Sequence, residues 1–166
     1  MIIQQRQWTD DELRAAGFTY YERKKQLVMV RMMGEDSKRI RMTLETLEVG
    51  KGYVLCYDPG HVVRPNPDDY DHWPVRPDIF KATYRAWDVA NWSPSAPEQH
   101  LLRLGCSPYY KFTGMWAKLV TEPIRVKSIE SSEGVEVPAG MWLAIGTMGE
   151  PWYMTEDKLR ARYIVP

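Results

Sequence analysis

A chain of 166 residues, 44% apolar, with 22 basic and 22 acidic side chains, is long enough to bury a core without disulfide or metal staples. Its formal charge of zero provides no field for general nucleic-acid binding, and no run approaches the ~18 apolar residues a membrane span needs. Gln4, Gln5, Arg6 and Asp10 stand where a signal peptide would have its apolar core, so a cytoplasmic protein is expected.

Thr9-Asp10-Asp11-Glu12 has the form of a capping box, which predicts a helix from Thr9 to Ala16, stopped by Gly17. Tyr20-Tyr21 and the charged run Glu22 to Lys25 lead to Leu27-Val28-Met29-Val30, an apolar run suited to a well-buried strand. Arg39 to Leu44 alternates strictly, which buries one face and wets the other. Leu47-Glu48-Val49 passes through the turn Gly50-Lys51-Gly52 into Tyr53 to Tyr57, and Asp58-Pro59-Gly60 turns again. His61-Val62-Val63 is expected to continue the sheet. Arg64 to His72, with Pro65, Pro67 and three aspartates, is no central strand. Pro77 suits the first turn of a short helix carrying Phe80 and Tyr84, and residues 88–96 read as a connector.

The order then recurs. A helix from Pro97 to Leu104 stops at Gly105 and runs into Tyr109-Tyr110, as the first helix runs into Tyr20-Tyr21. Strands are expected at Met115 to Val120, Arg125 to Ile129, Val135 to Val137 and Met141 to Gly146, with a last helix capped by Thr155. Trp73, Val75, Asp78, Phe80, Ala82 and Tyr84 are echoed at the same spacing by Trp152, Met154, Asp157, Leu159, Ala161 and Tyr163. Two tandem repeats are therefore expected, residues 1–87 and 97–166. The fold class is α+β: β-rich half-domains of mostly antiparallel strands with short flanking helices, packed about a pseudo-twofold axis. Cys56 to Trp73 spans 17 positions and the matching Ala144 to Trp152 only 8, so the first repeat carries a loop nine residues longer. That loop is where specialisation is expected.

Arg23-Lys24-Lys25 before an apolar strand, Pro59-Gly60, and Pro74-Val75-Arg76-Pro77-Asp78-Ile79-Phe80-Lys81-Ala82-Thr83-Tyr84 together carry a resemblance. The chain resembles a small domain family common in phage and prophage proteins, closely over residues 20–87 and more loosely over 109–166. His61 replaces the acidic residue that usually follows Pro-Gly in that family. The resemblance implies the fold and a phage-linked or bacterial origin, and it transfers no catalytic residue.

Three sets of side chains carry candidate chemistry. Asp58, His61, Asp68, Asp69, Asp71 and His72 bring carboxylates and imidazoles into one loop, where His61, Asp69 and His72 are the candidates for a hydrolase. Their spacing matches no metal site, and no metal or cofactor is expected. Trp73, Arg76, Tyr84, Tyr109, Trp152 and Tyr163, joined by Tyr20, are the ligand-binding candidates, because aromatics stack on bases or sugars and Arg76 pairs with an anion. Recurrence in both repeats also marks them as core. Arg39 and Arg41 with Arg125 and Lys127 form a basic stripe of the kind that keeps a sheet face soluble. Neither Cys56 nor Cys106 belongs to a metal or disulfide pattern, and no nucleophile elbow or phosphate loop occurs. The leading expectation is a non-enzymatic module that holds a small polar or nucleotide-like ligand in an aromatic cleft between the repeats, or a protein partner, a second copy of the chain included. The alternatives are the loop-based hydrolase and a phage assembly protein.

Overall fold

A computed structural model describes residues 2–166. In chain order, the elements up to the midpoint are β1 (Ile2–Gln4), α1 (Asp10–Ala15), β2 (Thr19–Tyr21), β3 (Leu27–Met32), β4 (Lys38–Arg41), β5 (Thr46–Val49), β6 (Val54–Asp58), β7 (Asp71–Val75), α2 (Pro77–Thr83) and β8 (Tyr84–Ala86). There follow α3 (Ala96–Arg103), β9 (Ser107–Lys111), β10 (Met115–Leu119), β11 (Ile124–Lys127), β12 (Val135–Val137), β13 (Trp142–Ile145), β14 (Pro151–Met154) and α4 (Glu156–Arg162). The fold is β-rich α+β: among the described residues, fourteen strands form four mostly antiparallel sheets, with four short helices.

Local chemistry sets the helix ends. Thr9 Oγ1 accepts from the Glu12 amide and the Glu12 carboxylate accepts from the Thr9 amide, while Ser95 and Glu98 form the same box before α3. Both helices stop identically: Gly17 and Gly105 take positive φ (89° and 91°), and the next amides, Phe18 and Cys106, close back on the Leu13 and Leu101 carbonyls. The box at Ser95 starts α3 one residue before the expected Pro97. His61 to Val63, expected as strand, is exposed irregular chain. The sheet resumes only at β7, an edge strand, where Pro74 is tolerated.

The chain forms two compact units, and they are not residues 1–87 and 97–166. The first takes the chain up to Lys24, residues 41–48 and residues 113–166; the second takes residues 25–40 and 49–112. The first unit holds the sheet β14-β13-β10-β2 and the sheet β1-β11-β12, in which β1 runs parallel to β11. Leu13, Phe18, Val126, Val137, Leu143 and Ile145 make one of its cores. The second unit holds β7-β6-β3-β9-β8 around Val28, Val30, Val54, Cys56 and Tyr84. β4 and β5 pair with each other.

The two larger sheets share order and register. Val30 faces Cys56, which faces Trp73; Ala117 faces Ala144, which faces Trp152. Val28 faces Tyr109 as Met115 faces Tyr21, and Lys111 faces Tyr84 as Arg23 bridges to Tyr163. This register makes Tyr21, not Tyr20, the counterpart of Tyr109, because each lies four positions past its helix-stopping glycine. A one-residue shift in a strand exchanges its faces. Each sheet also takes one helix and strand from the far half of the sequence: α1 and β2 go to β10, and α3 and β9 go to β3.

Candidate functional site

The recurring aromatics pack as core. In the second unit, Trp73 Nε1 donates to Tyr84 Oη at 3.4 Å, Tyr84 stacks on Phe80 with centroids 4.8 Å apart, and Phe80 meets Tyr109 edge-on at 5.1 Å. In the first unit, Tyr163 sits with Met115, Ala117, Ala144, Met154 and Leu159, with Trp152 and Tyr21 packed against them. Tyr84 and Tyr163 are 8% and 3% exposed, which leaves neither ring a face for a ligand. Arg76 clasps Asp78 through two hydrogen bonds, 2.6 and 2.9 Å long, and this contact holds the Asp78 carboxyl below its ordinary value. Trp73, Arg76, Tyr84 and Tyr109 thus belong to one unit and Trp152 and Tyr163 to the other.

The Asp/His loop is occupied with holding itself together. Asp58 accepts from the Gly60 amide, Asn66 caps a single 3-10 turn over Pro67–Asp69, and Asp68 pairs with Lys38. Tyr70 is 4% exposed; its Oη accepts from the Arg64 amide and lies 2.8 Å from His100 Nδ1 on α3. His72 Nδ1 is 2.7 Å from the Tyr70 carbonyl and its ring stacks on Tyr57, while His61 and Asp69 are exposed. Among the described residues, no three His, Cys, Asp or Glu side chains are placed to share a metal ion. Both cysteines are buried, and burial raises the Cys106 pKa, which disfavours its thiolate. Of the basic stripe, Arg125 is engaged with the Glu133 and Gly134 carbonyls.

The first unit has a cleft of about 610 Å³ in a different place. One wall is the N-terminal segment, with Gln5, Gln7 and Trp8, continuing to Asp10 and Leu13 of α1. The other is Tyr20 of β2, Thr113 to Trp116, and the turn Ile145 to Gly149. The walls are tied together: Gln5 Nε2 donates to the Met148 carbonyl at 2.9 Å and the Arg6 amide to the Gly149 carbonyl at 3.4 Å. Gly149, at φ 77°, has no room for a side chain, since a Cβ there would run into the Arg6 carbonyl. Gly114 is as tightly placed: its amide donates to Tyr20 Oη at 3.1 Å, and a Cβ would strike the Tyr20 ring. Tyr20 meets Trp116 edge-on, with centroids 5.5 Å apart. Two polar atoms of the lining residues, Trp8 Nε1 and Thr113 Oγ1, are buried without any hydrogen-bond partner among the described residues. Such atoms cost about 1–3 kcal/mol each unless something supplies the missing bond.

Set against known proteins, the chain matches no family model, no curated protein and no solved structure. No helix among the described residues is long and apolar enough to cross a membrane.

Recurrence marks the packed aromatics and not those that line the cleft. Register gives Tyr20 the counterpart Pro108 and Trp116 the counterpart Met29, which is fully buried. The cleft is thus lined by aromatics present in one half only, whereas the duplicated ones fill the two cores. Tyr20 stands among the candidates from sequence, but as the match of Tyr109, whereas the register pairs Tyr109 with Tyr21 and leaves Tyr20 and Trp116 as exceptions to the repeat.

Proposed function

We propose that the protein is a non-enzymatic binding module that holds a small polar ligand in the cleft of the first unit. The observation that carries this reading is a cavity in which the exposed ring of Tyr20 and the half-buried ring of Trp116 stand beside the polar side chains of Gln7, Asp10 and Thr147. A volume of about 610 Å³ falls among those of pockets for small organic ligands, roughly 300–1,000 Å³. A hydrolase built on His61, Asp69 and His72 is the weaker reading, because His72 is held by Tyr70 and Tyr57 while His61 and Asp69 have no oriented partner. We assign the protein to the cytoplasm, a reducing setting that suits two buried cysteines in no disulfide pattern.

The test uses the indole N–H resonances of the seven tryptophans, assigned by single Trp→Phe replacements. Extracts of small metabolites should shift the Trp8 and Trp116 signals and leave Trp73 and Trp152 in place. Binding that shifts Trp73 or Trp152 alone, or no shift with any extract, overturns the reading.

A further inference from the structure

We infer that the long loop of the second unit is held shut by a proton-sensitive latch: Tyr70 is fastened to His100 of α3 only while that imidazole is neutral, and charging it lets the loop open. Tyr70 is the buried end of the segment that follows Asp58, 4% exposed, with its ring centre 5.9 Å from that of His100. Two groups meet its hydroxyl. The Arg64 amide, 3.1 Å away, can only donate, so Tyr70 Oη accepts from it. His100 Nδ1 lies 2.8 Å from the same oxygen. A hydroxyl that accepts from an amide still has its own proton to give, and His100 Nδ1 is the one acceptor that Tyr70 Oη reaches among the described residues. Neutral His100 therefore carries its hydrogen on Nε2 and leaves Nδ1 bare. Charging the ring puts a hydrogen on Nδ1 as well. Tyr70 Oη then faces two donors, and its own proton is left without an acceptor in a nearly closed site. The closed loop is the form that binds fewer protons, so the balance moves toward the open loop as pH falls through the range, about 5 to 8, in which imidazoles ordinarily change charge.

The other two histidines do not act this way. His72 Nδ1 is 2.7 Å from the Tyr70 carbonyl, which can only accept, so that nitrogen already carries a hydrogen and a second proton on Nε2 leaves the bond intact. His61 is exposed. The charged groups on the surrounding elements are engaged with one another or lie in solvent. On the loop, Asp68 pairs with Lys38 of β4, while Arg64 and Asp69 are exposed, as is Asp71 of β7. On β3, Arg31 donates to Tyr57 Oη at 3.3 Å. On α3, the Glu98 carboxylate accepts from the Ser95 amide and the Trp92 indole, and Arg103 is exposed. Just past α3, Cys106 is a buried thiol. No carboxylate pairs with His100 among the described residues, so nothing there offsets the charge it would gain. The first unit has neither half of the latch. Leu13 and Leu101 accept the same helix-stopping amides, which makes Glu12 the counterpart of His100, and Glu12 is held in the cap of α1; the turn from Gly146 to Gly149 contains no tyrosine.

The experiment follows the histidine rings and the Arg64 amide of the full chain by NMR. In alkaline solution the ring-nitrogen shifts should show neutral His100 with its hydrogen on Nε2 and neutral His72 with its hydrogen on Nδ1. A neutral His100 with its hydrogen on Nδ1 overturns the inference without recourse to any variant. Protection of the Arg64 amide against hydrogen exchange, corrected for intrinsic exchange, should fall about tenfold or more from about pH 7.5 to about pH 5. The Cys106 amide, bonded to the Leu101 carbonyl at the end of α3, should keep its protection over the same range. The tie between Asp68 and Lys38 stays in place there, because Lys38 holds the Asp68 carboxyl below its ordinary value. In His100→Gln the side-chain oxygen can take the Tyr70 proton and nothing titrates, so the Arg64 amide should stay protected into acid. A wild-type amide that keeps its protection, a fall of the same size in His100→Gln, or an equal fall at Cys106 overturns the latch.

Discussion

Replacing Tyr163 by alanine removes a ring that is 3% exposed and packed among Met115, Ala117, Ala144, Met154 and Leu159. Truncating a buried aromatic side chain costs about 3–5 kcal/mol, about a fifth or more of the roughly 5–15 kcal/mol that holds a domain folded. The ring also carries the Arg23 guanidinium, 5.2 Å from its centre. Its backbone role survives, because the Tyr163 amide still donates to the Leu159 carbonyl. Urea unfolding followed by far-UV circular dichroism should therefore show a midpoint drop corresponding to at least ~3 kcal/mol at unchanged slope. Trp116→Ala gives the contrast: it forfeits an edge-on contact with Tyr20 and a partly solvated cation–π contact with Arg14, together about 1–2.5 kcal/mol beyond the burial of a ring only partly packed against the Leu13 and Phe18 core, and leaves the core around Tyr163 in place. A cost under ~1 kcal/mol for Tyr163→Ala, or a larger cost for Trp116→Ala than for Tyr163→Ala, would refute the division of the aromatics into duplicated core and unduplicated cleft.

A protease site inserted after Ala90, in the exposed connector, should be cut without releasing either half, because β2 stays paired with β10 and β9 with β3; native gel filtration shows one species, and two separate fragments would sink the exchange of strands. Gly149→Ala should cost more than ~1 kcal/mol and weaken whatever the cleft binds, since it places a side chain at φ 77° against the Arg6 carbonyl; a neutral effect on thermal unfolding would contradict that wall. Burial, and then the hydrogen bond to Glu45, push the Tyr153 phenol well above its ordinary pKa. A raised folded-state value contributes stability that is complete below the unfolded tyrosine pKa near ~10 and is lost as pH rises toward the folded value, so alkaline difference absorbance should show Tyr153 ionising last and Tyr153→Phe should flatten the loss of stability at high pH. For Asp68 the sign reverses: Lys38 lowers its pKa, so this tie on the long loop holds at neutral pH and is lost as pH falls through the carboxylate's depressed value, which limited proteolysis of residues 58–70 in acid should register.

What was legible in the sequence was local. The boxes and glycines that begin and end α1 are set by residues within eight positions, and the runs that became β3, β6, β10 and β13 are apolar enough to read as buried strands. Strands β7, β9 and β14 escaped because Pro74, Pro108 and Pro151 lie in them, and β1 because Ile2 and Ile3 become strand only by pairing with Arg125 and Val126. The exchange of α1 and β2 for α3 and β9 has no local signature at all: which strand Thr19 to Tyr21 joins is decided by tertiary packing nearly a hundred residues away. The cleft was illegible for the same reason, since Gln5 and Met148, Arg6 and Gly149 meet only through the fold.

The longer loop of the first repeat was expected to mark specialisation, and the structure gives it a different job. Tyr57 and Ile145 hold matching register positions, as do Leu101 of α3 and Leu13 of α1, so the segment after Tyr57 corresponds to the turn after Ile145. In the second unit that segment runs to Tyr70, which is buried and joined through its hydroxyl to His100 on α3. In the first unit the short turn Gly146 to Gly149 faces α1 across open space, and that space is the cleft. The extra residues thus close, in one unit, the loop-to-helix gap that stays open in the other. Tyr70→Ala removes the closing ring, and it should uncover in the second unit an apolar counterpart of the cleft, lacking Trp116 and Tyr20 because Met29 and Pro108 stand in their places. Such a cavity would take a hydrophobic dye, since the aromatic rings and the acidic side chain that line the cleft of the first unit have not been duplicated.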